Sequence, residues 1–144
     1  MSWQPSASIA TLRAREQLLK SIRCFFSSRG YLEVETPLLA KHTVTDVHID
    51  SFYTAQPKNY LQTSPEFFMK RLLAHYKKPI FQICKAFRQD EAGQRHNPEF
   101  TLLEWYHPNY NHHDLMQEMA DLLQTTVHCP PAKKISYAEL FKQH

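Results

Sequence analysis

Apolar residues recur along this chain at two different periods, and the change of period marks the elements. Over about residues 9–28, Leu12, Leu18, Leu19, Ile22, Phe25 and Phe26 fall at three- and four-residue steps, which predicts an amphipathic helix. Gly30 follows where a left-handed C-terminal cap belongs. Residues 31–35 then alternate Leu32 and Val34 against Glu33 and Glu35, a short strand that Pro37 stops or places at an edge. Val47, Ile49 and Phe52 suggest a second strand, and residues 60–62 a third. Ser64-Pro65-Glu66 combines a hydroxyl cap, a proline at the first helical position and an acid in the first turn. The helix it starts runs to about Tyr76, with Phe68, Leu72 and Leu73 inward.

Residues 79–88 form an apolar run and residues 99–107 another, separated by the polar loop 89–98 that carries Gly93. An antiparallel hairpin is the natural arrangement, and its loop is long enough to suggest function. Residues 114–127 read as a helix with Leu115, Met119, Leu122 and Leu123 on one face, broken by Cys129-Pro130-Pro131. Ser136 and Glu139 have capping-box spacing for a last short helix. Residues 1–8 read as a polar arm. The pattern predicts an α+β fold.

Composition sharpens this picture. The 144 residues suggest one domain, and only two of them are glycine. Glycine-rich phosphate cradles need two or more closely spaced glycines, so a nucleotide site here must use charged side chains and aromatic faces. The apolar content of 42% supplies a core and argues against disorder. A formal charge of +3 suits an anionic ligand without demanding one. Cys24, Cys84 and Cys129 lack metal or disulfide spacing and read as small packed hydrophobes in a reducing, cytoplasmic setting. The start carries no basic segment leading into an apolar run, and no window approaches a membrane span.

The strand after the long loop carries the clearest chemistry. Side chains alternate faces, so Thr101, Leu103 and Trp105 share one face that suits a helix-covered core. Phe100, Leu102, Glu104 and Tyr106 share the other, which sets a carboxylate and a phenol among apolar groups. A buried carboxylate is costly unless a cation or hydrogen-bond donor meets it. A structural partner such as Arg88 and a ligand amine both remain open. Arg88 stands at a strand end, where its fork can grip phosphate in bidentate fashion.

Phe87-Arg88-Gln89-Asp90, followed by Arg95-His96-Asn97-Pro98-Glu99-Phe100, resembles motif 2 of class II aminoacyl-tRNA synthetases of the lysyl type. Residues 29–37 resemble motif 1, which forms the dimer interface in that class. Thr63-Ser64-Pro65-Glu66, Glu104-Trp105-Tyr106, the opening residues 2–8 and Thr43-Val44-Thr45-Asp46 are similar to the bacterial elongation factor P–lysine ligases, paralogues of lysyl-tRNA synthetase. The likeness covers nearly all of residues 1–144, taken as the N-terminal part of one catalytic domain.

The resemblance implies a partial class II catalytic core: an antiparallel sheet flanked by helices. It implies ATP as substrate with Mg2+, whose ligands are expected beyond His144. Arg88 is implied to hold the α-phosphate as catalytic residue. Gln89, Asp90, His96 and Asn97 are implied to contact the nucleotide, and Phe100 to stack on adenine. Ser64, Pro65 and Glu66 are implied to line the lysine site, with Glu66 on one amine and Glu104 and Tyr106 on the other. The implied reaction is activation of (R)-β-lysine and its transfer to a lysine ε-amine of elongation factor P, by a cytoplasmic homodimer paired through motif 1.

Two departures qualify this. Asp90 replaces the family's glutamate and is one methylene shorter. The chain also stops before motif 3, so it is expected to be truncated and to show little or no adenylation alone. The rivals are a lysyl-tRNA synthetase fragment and a non-catalytic dimerisation or binding module. A tRNA acceptor is disfavoured because only about thirty residues precede motif 1, with no anticodon-binding domain among them. Pocket residues that separate α-lysine from β-lysine are expected beyond His144. His112-His113 reads as a solvated helix start, not a metal site, Lys77-Lys78 as a solvated helix end, and Met116 and Met119 as core filling.

Overall fold

A computed structural model describes residues 3–89, 93 and 96–143. Its elements run α1 (Ile9–Ser27), β1 (Leu32–Glu33), β2 (Leu39–Ala40), β3 (Tyr60–Leu61), α2 (Glu66–Tyr76), β4 (Ile80–Phe87), β5 (Glu99–Tyr106), α3 (His112–Val127) and α4 (Tyr137–Gln143). The class is α+β, as the sequence predicts. No described helix is long and apolar enough to cross a membrane. Contacts group the chain into two units, one of Phe26–Asn109 and one of Met1–Phe25 with Tyr110–His144.

The first of these units is built on the predicted hairpin. β4 and β5 pair antiparallel along their whole length, from Ile80 opposite Tyr106 to Phe87 opposite Glu99. β1 adds a parallel edge strand, with Leu32 opposite Ile80, and the backbone bond from Val34 N–H to Phe81 C=O extends the pairing. The face bearing Phe81 and Trp105 packs on Phe26, at the end of α1. Phe26 is fully buried there. Its ring stacks on Phe81 at 4.8 Å and also meets Tyr31 at 5.0 Å and Trp105 at 5.3 Å.

The end of α1 is set by Gly30, whose φ is +79°. Tyr31 N–H reaches Phe26 C=O and Gly30 N–H reaches Ser27 C=O, both at 3.1 Å, which is a Schellman cap. The Tyr31–Phe26 ring contact closes the cap, so one glycine sets both the helix end and the entry of Tyr31 into the core. An L side chain at this φ costs about 1–2 kcal/mol. Gly30→Ala is therefore expected to lower unfolding free energy by about that much in urea denaturation, and an unchanged midpoint would refute the cap's role.

β2 and β3 form a separate two-stranded ribbon, Leu39 opposite Leu61. The sequence missed β2. The strand expected around Val47 to Phe52 does not form, and Val47 is 87% exposed. There the Asp46 carboxylate accepts the His48 N–H at 2.9 Å, and this local bond turns the backbone away from an extended path. Pairing begins at the end of this segment, where Phe52 C=O accepts the Leu61 N–H at 2.9 Å and Tyr53 bridges to Tyr60. α2 starts one residue later than expected: Pro65 is the cap position, although the Ser64 hydroxyl still accepts the Glu66 N–H at 3.3 Å. Its deepest residue is Met69, while Phe68, Leu72 and Leu73 are half-buried.

In the other unit α3 begins before Asp114, because Asn111 forms a capping box with Asp114. His112 and His113 lie exposed in its first turn. The expected apolar face is only partly inward: Leu122 is 5% exposed and Glu118 6%, whereas Leu115, Met119 and Leu123 are exposed. The buried strip follows the four-residue step from Glu118 to Leu122, and the expected stripe straddles its edge. Met116 is likewise exposed instead of filling a core. Ser136 and Glu139 form the predicted capping box, with the Glu139 N–H on the Ser136 hydroxyl at 3.2 Å. Cys24 is exposed, contrary to its expected packing, while Cys84 and Cys129 are half-buried.

Candidate active site

The opposite face of the hairpin carries the candidate chemistry in two groups. Along β5 it presents Phe100, Leu102, Glu104 and Tyr106, and the register sets Ala86, Cys84, Gln82 and Ile80 beside them. At one end, Arg88 follows β4 and is held by a backbone bond from its N–H to Pro98 C=O at 2.9 Å. Its Nε donates to Thr63 C=O at 3.4 Å, and its guanidinium lies over the Phe100 ring at 5.2 Å. A cation stacked on an aromatic face is a ready platform for an anionic group attached to a planar base.

At the other end, the Tyr106 hydroxyl donates to Glu104 Oε1. Glu66 and Lys70 of α2 act electrostatically on Glu104, with Lys70 Nζ also bonded to Glu66 at 2.5 Å. Burial raises the Glu104 carboxyl above its ordinary range and the Glu66 charge adds to this, while the Tyr106 hydroxyl and Lys70 oppose it. Burial, reinforced by the Glu104 bond and charge, pushes the Tyr106 phenol strongly upward, so it remains a donor at neutral pH. The outcome is a partly desolvated carboxylate pair with a phenol donor, a geometry suited to an ammonium ion.

The fold itself gives Glu104 a structural partner, the Tyr106 hydroxyl, with the Lys70 charge acting on it, and the register decides whether Arg88 is another. Glu104 pairs with Gln82, six residues before Arg88. That separates the two by roughly 20 Å of strand. Arg88 is thus not the partner of Glu104.

The remaining site residues fall around these groups. Ser64 is half-buried, Pro65 is fully buried, and Glu66 opens α2, where its charge acts on Glu104. Gln89 is exposed, its N–H on Asp50 C=O at 2.9 Å. His96 and Asn97 are exposed on the loop, with His96 paired to Gly93 through two backbone bonds. Asp90 and Arg95 lie outside the described residues. Sequence reasoning passed over Gln82, Cys84, Thr36 and Lys70, which join the amine end. The period-two pattern of β4 put Gln82 and Cys84 on one face, but only the register shows that the face is that of Glu104.

Residues 1–143 match the family model of the class II tRNA synthetases for aspartate, lysine and asparagine, "tRNA synthetases class II (D, K and N)". The chain belongs to this family. Among curated relatives, the elongation factor P–(R)-β-lysine ligase of Histophilus somni is 51% identical over 99% of this chain and 46% of its own length. The ligase of the same name from Erwinia tasmaniensis gives the same identity and coverage, and that of Photobacterium profundum is 50% identical over 98% of this chain and 46% of its own. The chain therefore spans about half the length of the class II relatives it matches.

Class II synthetases use ATP, and the Arg88–Phe100 pair fits a nucleotide. Among the described residues no three metal-ligating side chains gather.

Proposed function

We propose that this chain contributes the nucleotide-gripping and amine-reading surface of an elongation factor P–(R)-β-lysine ligase. The single observation that carries the reading is the one sheet face that bears Glu104 and Tyr106 at one end, with Glu66 of α2 acting on Glu104, and Phe100 under Arg88 at the other. Two carboxylates complement the two ammonium groups of a diamino acid. Phe100 stacks on adenine and Arg88 meets the α-phosphate, with Gln89, Asp90, His96 and Asn97 on the nucleotide and Ser64 and Pro65 lining the lysine site. The substrate carboxylate oxygen attacks the α-phosphorus, the bond to the β-phosphate oxygen breaks, and pyrophosphate leaves. Arg88 stabilises the charge that develops at phosphorus. The ε-amine of a lysine on elongation factor P then attacks the acyl carbon, giving an amide, AMP and a proton. Residues 1–144 form one part of a catalytic domain, and the protein acts in the cytoplasm as a dimer through residues 29–37. The names of the relatives support a protein acceptor over tRNA.

Lysine titrated into the chain tests the amine site. Glu104 is raised, so its proton is held up to a higher pH in the folded state than in the unfolded state. The stability this proton brings is fully present below the unfolded value and is lost as pH rises through the folded one. Binding of a cation runs the other way and weakens as pH falls through that range. Glu104→Gln is expected to weaken lysine binding at pH 7 by about ten- to a hundredfold, the worth of a charged hydrogen bond, while leaving the fold equally or more stable. Norleucine, which lacks the second ammonium, serves as control: if it binds as tightly as lysine, the reading fails.

A further inference from the structure

The face that carries Glu104 also carries a buried amide. Gln82 is the register partner of Glu104 and is 2% exposed. An amide has an acceptor end and a donor end, and in a buried position its hydrogen bonds decide which end faces which neighbour. Here Thr36, from the segment after β1, makes that decision: Thr36 Oγ1 donates to Gln82 Oε1 at 3.0 Å. The carbonyl end is thereby engaged, and Gln82 acts on Cys84 in the direction that favours the thiolate, as an N–H end does and a carbonyl does not. Cys84 in turn feels the charge of Glu104. Thr36, Gln82, Cys84 and Glu104 thus form one polar row that starts in the segment after β1 and crosses β4 to β5.

Glu104 must be ionised to hold an ammonium. Desolvation and the Glu66 charge oppose ionisation, whereas the Tyr106 hydroxyl and Lys70 of α2 favour it. From β4 the facing groups are the Cys84 thiol and the Gln82 amide. An amide directly across a strand pair lies about 5 Å away at Cβ. With its N–H end turned to this side it supports a carboxylate, and with its carbonyl end turned there it would oppose one.

We infer that Thr36 is a positioning residue of the amine site: its hydroxyl fixes the Gln82 amide with the N–H end toward Cys84 and Glu104, and so holds Glu104 in its amine-binding form. This rests on the role proposed for Glu104. Without the hydroxyl, both amide orientations become open, and the flipped one sets a carbonyl oxygen beside the carboxylate.

The test is a carboxyl 13C NMR titration of the full chain, with the Glu104 signal assigned by its loss in Glu104→Gln. Thr36→Val, which keeps the shape and removes the hydroxyl, is expected to move the Glu104 midpoint up by about half a pH unit. Lysine binding at a pH below that midpoint should weaken about threefold, the equivalent of half a unit. Thr36→Ser, which restores the donor, should titrate and bind as the wild type does. A residue that only supported the fold would lower the melting temperature without moving the midpoint, so a folded Thr36→Val with an unmoved midpoint overturns the inference. If Thr36→Val does not fold, Thr36→Val/Gln82→Met removes both ends of the bond and carries the same expectation, with the same outcome overturning it. A moved midpoint in a chain that binds no lysine leaves the positioning role standing and overturns the amine-site reading instead.

Discussion

Arg88→Ala is expected to weaken ATP binding by the chain about a hundredfold, the equivalent of the 2–3 kcal/mol carried by a bidentate charged hydrogen bond to phosphate. Two features of the structure make the loss large. Arg88 is pinned at its backbone by Pro98 and at Nε by Thr63, so its fork is already oriented before a ligand arrives. Its guanidinium also lies over Phe100, so truncation removes the platform's cation together with the phosphate contact proposed for it. Arg88→Lys separates these contributions. It keeps the charge and loses the planar fork, and a loss of about tenfold is expected, between wild type and alanine. Fluorescent-nucleotide titration reads all three proteins. Alanine binding ATP as tightly as arginine would remove Arg88 from the nucleotide site.

Phe26→Ala is expected to cost about 3–5 kcal/mol of stability, the usual price for deleting a buried aromatic ring. The site is a severe one because the ring is fully buried and touches three others, those of Tyr31, Phe81 and Trp105. These belong to the helix cap, to β4 and to β5, so the cavity opens where the capped helix end meets the hairpin. Native domains are stable by only about 5–15 kcal/mol. The variant should therefore unfold at a much lower urea concentration, or populate the folded state poorly at 37 °C. A small shift would mean that the rings around Phe26 collapse into the space.

What the sequence made legible followed from short-range physics. The hairpin was readable because two apolar runs flank one polar loop, and period two then sorted Glu104 and Tyr106 from Trp105. Gly30 was readable as a cap because few residues other than glycine adopt its φ at low cost. The less legible features depended on partners distant in sequence. β2 has only two residues and is a strand by virtue of Leu61 and Tyr60, which nothing near Leu39 announces. Val47 and Ile49 look like strand residues, but Asp46 offers the backbone a local bond that wins. The stripe on α3 was counted correctly, yet which side of it turns inward is settled by neighbours, and Glu118 took a place that polarity alone would not assign it. At the site, motif likeness named Arg88, Phe100, Glu66, Glu104 and Tyr106. Gln82 and Thr36 stayed hidden, since their link spans forty-six residues and depends on register.

The β4–β5 hairpin also acts as a ruler. Phe100 and Glu104 lie on the same face, four residues apart on one strand, and so about 13 Å apart along it. A ligand must therefore match that span to place a planar base on one and an ammonium on the other. The spacing is held by backbone hydrogen bonds between two full-length strands, so slipping the register by one residue would turn every member of the set to the opposite face. The distance between them is set within β5 and does not depend on the segment between Phe87 and Glu99. The hairpin thereby fixes the gap between the aromatic ring and the carboxylate before any ligand arrives.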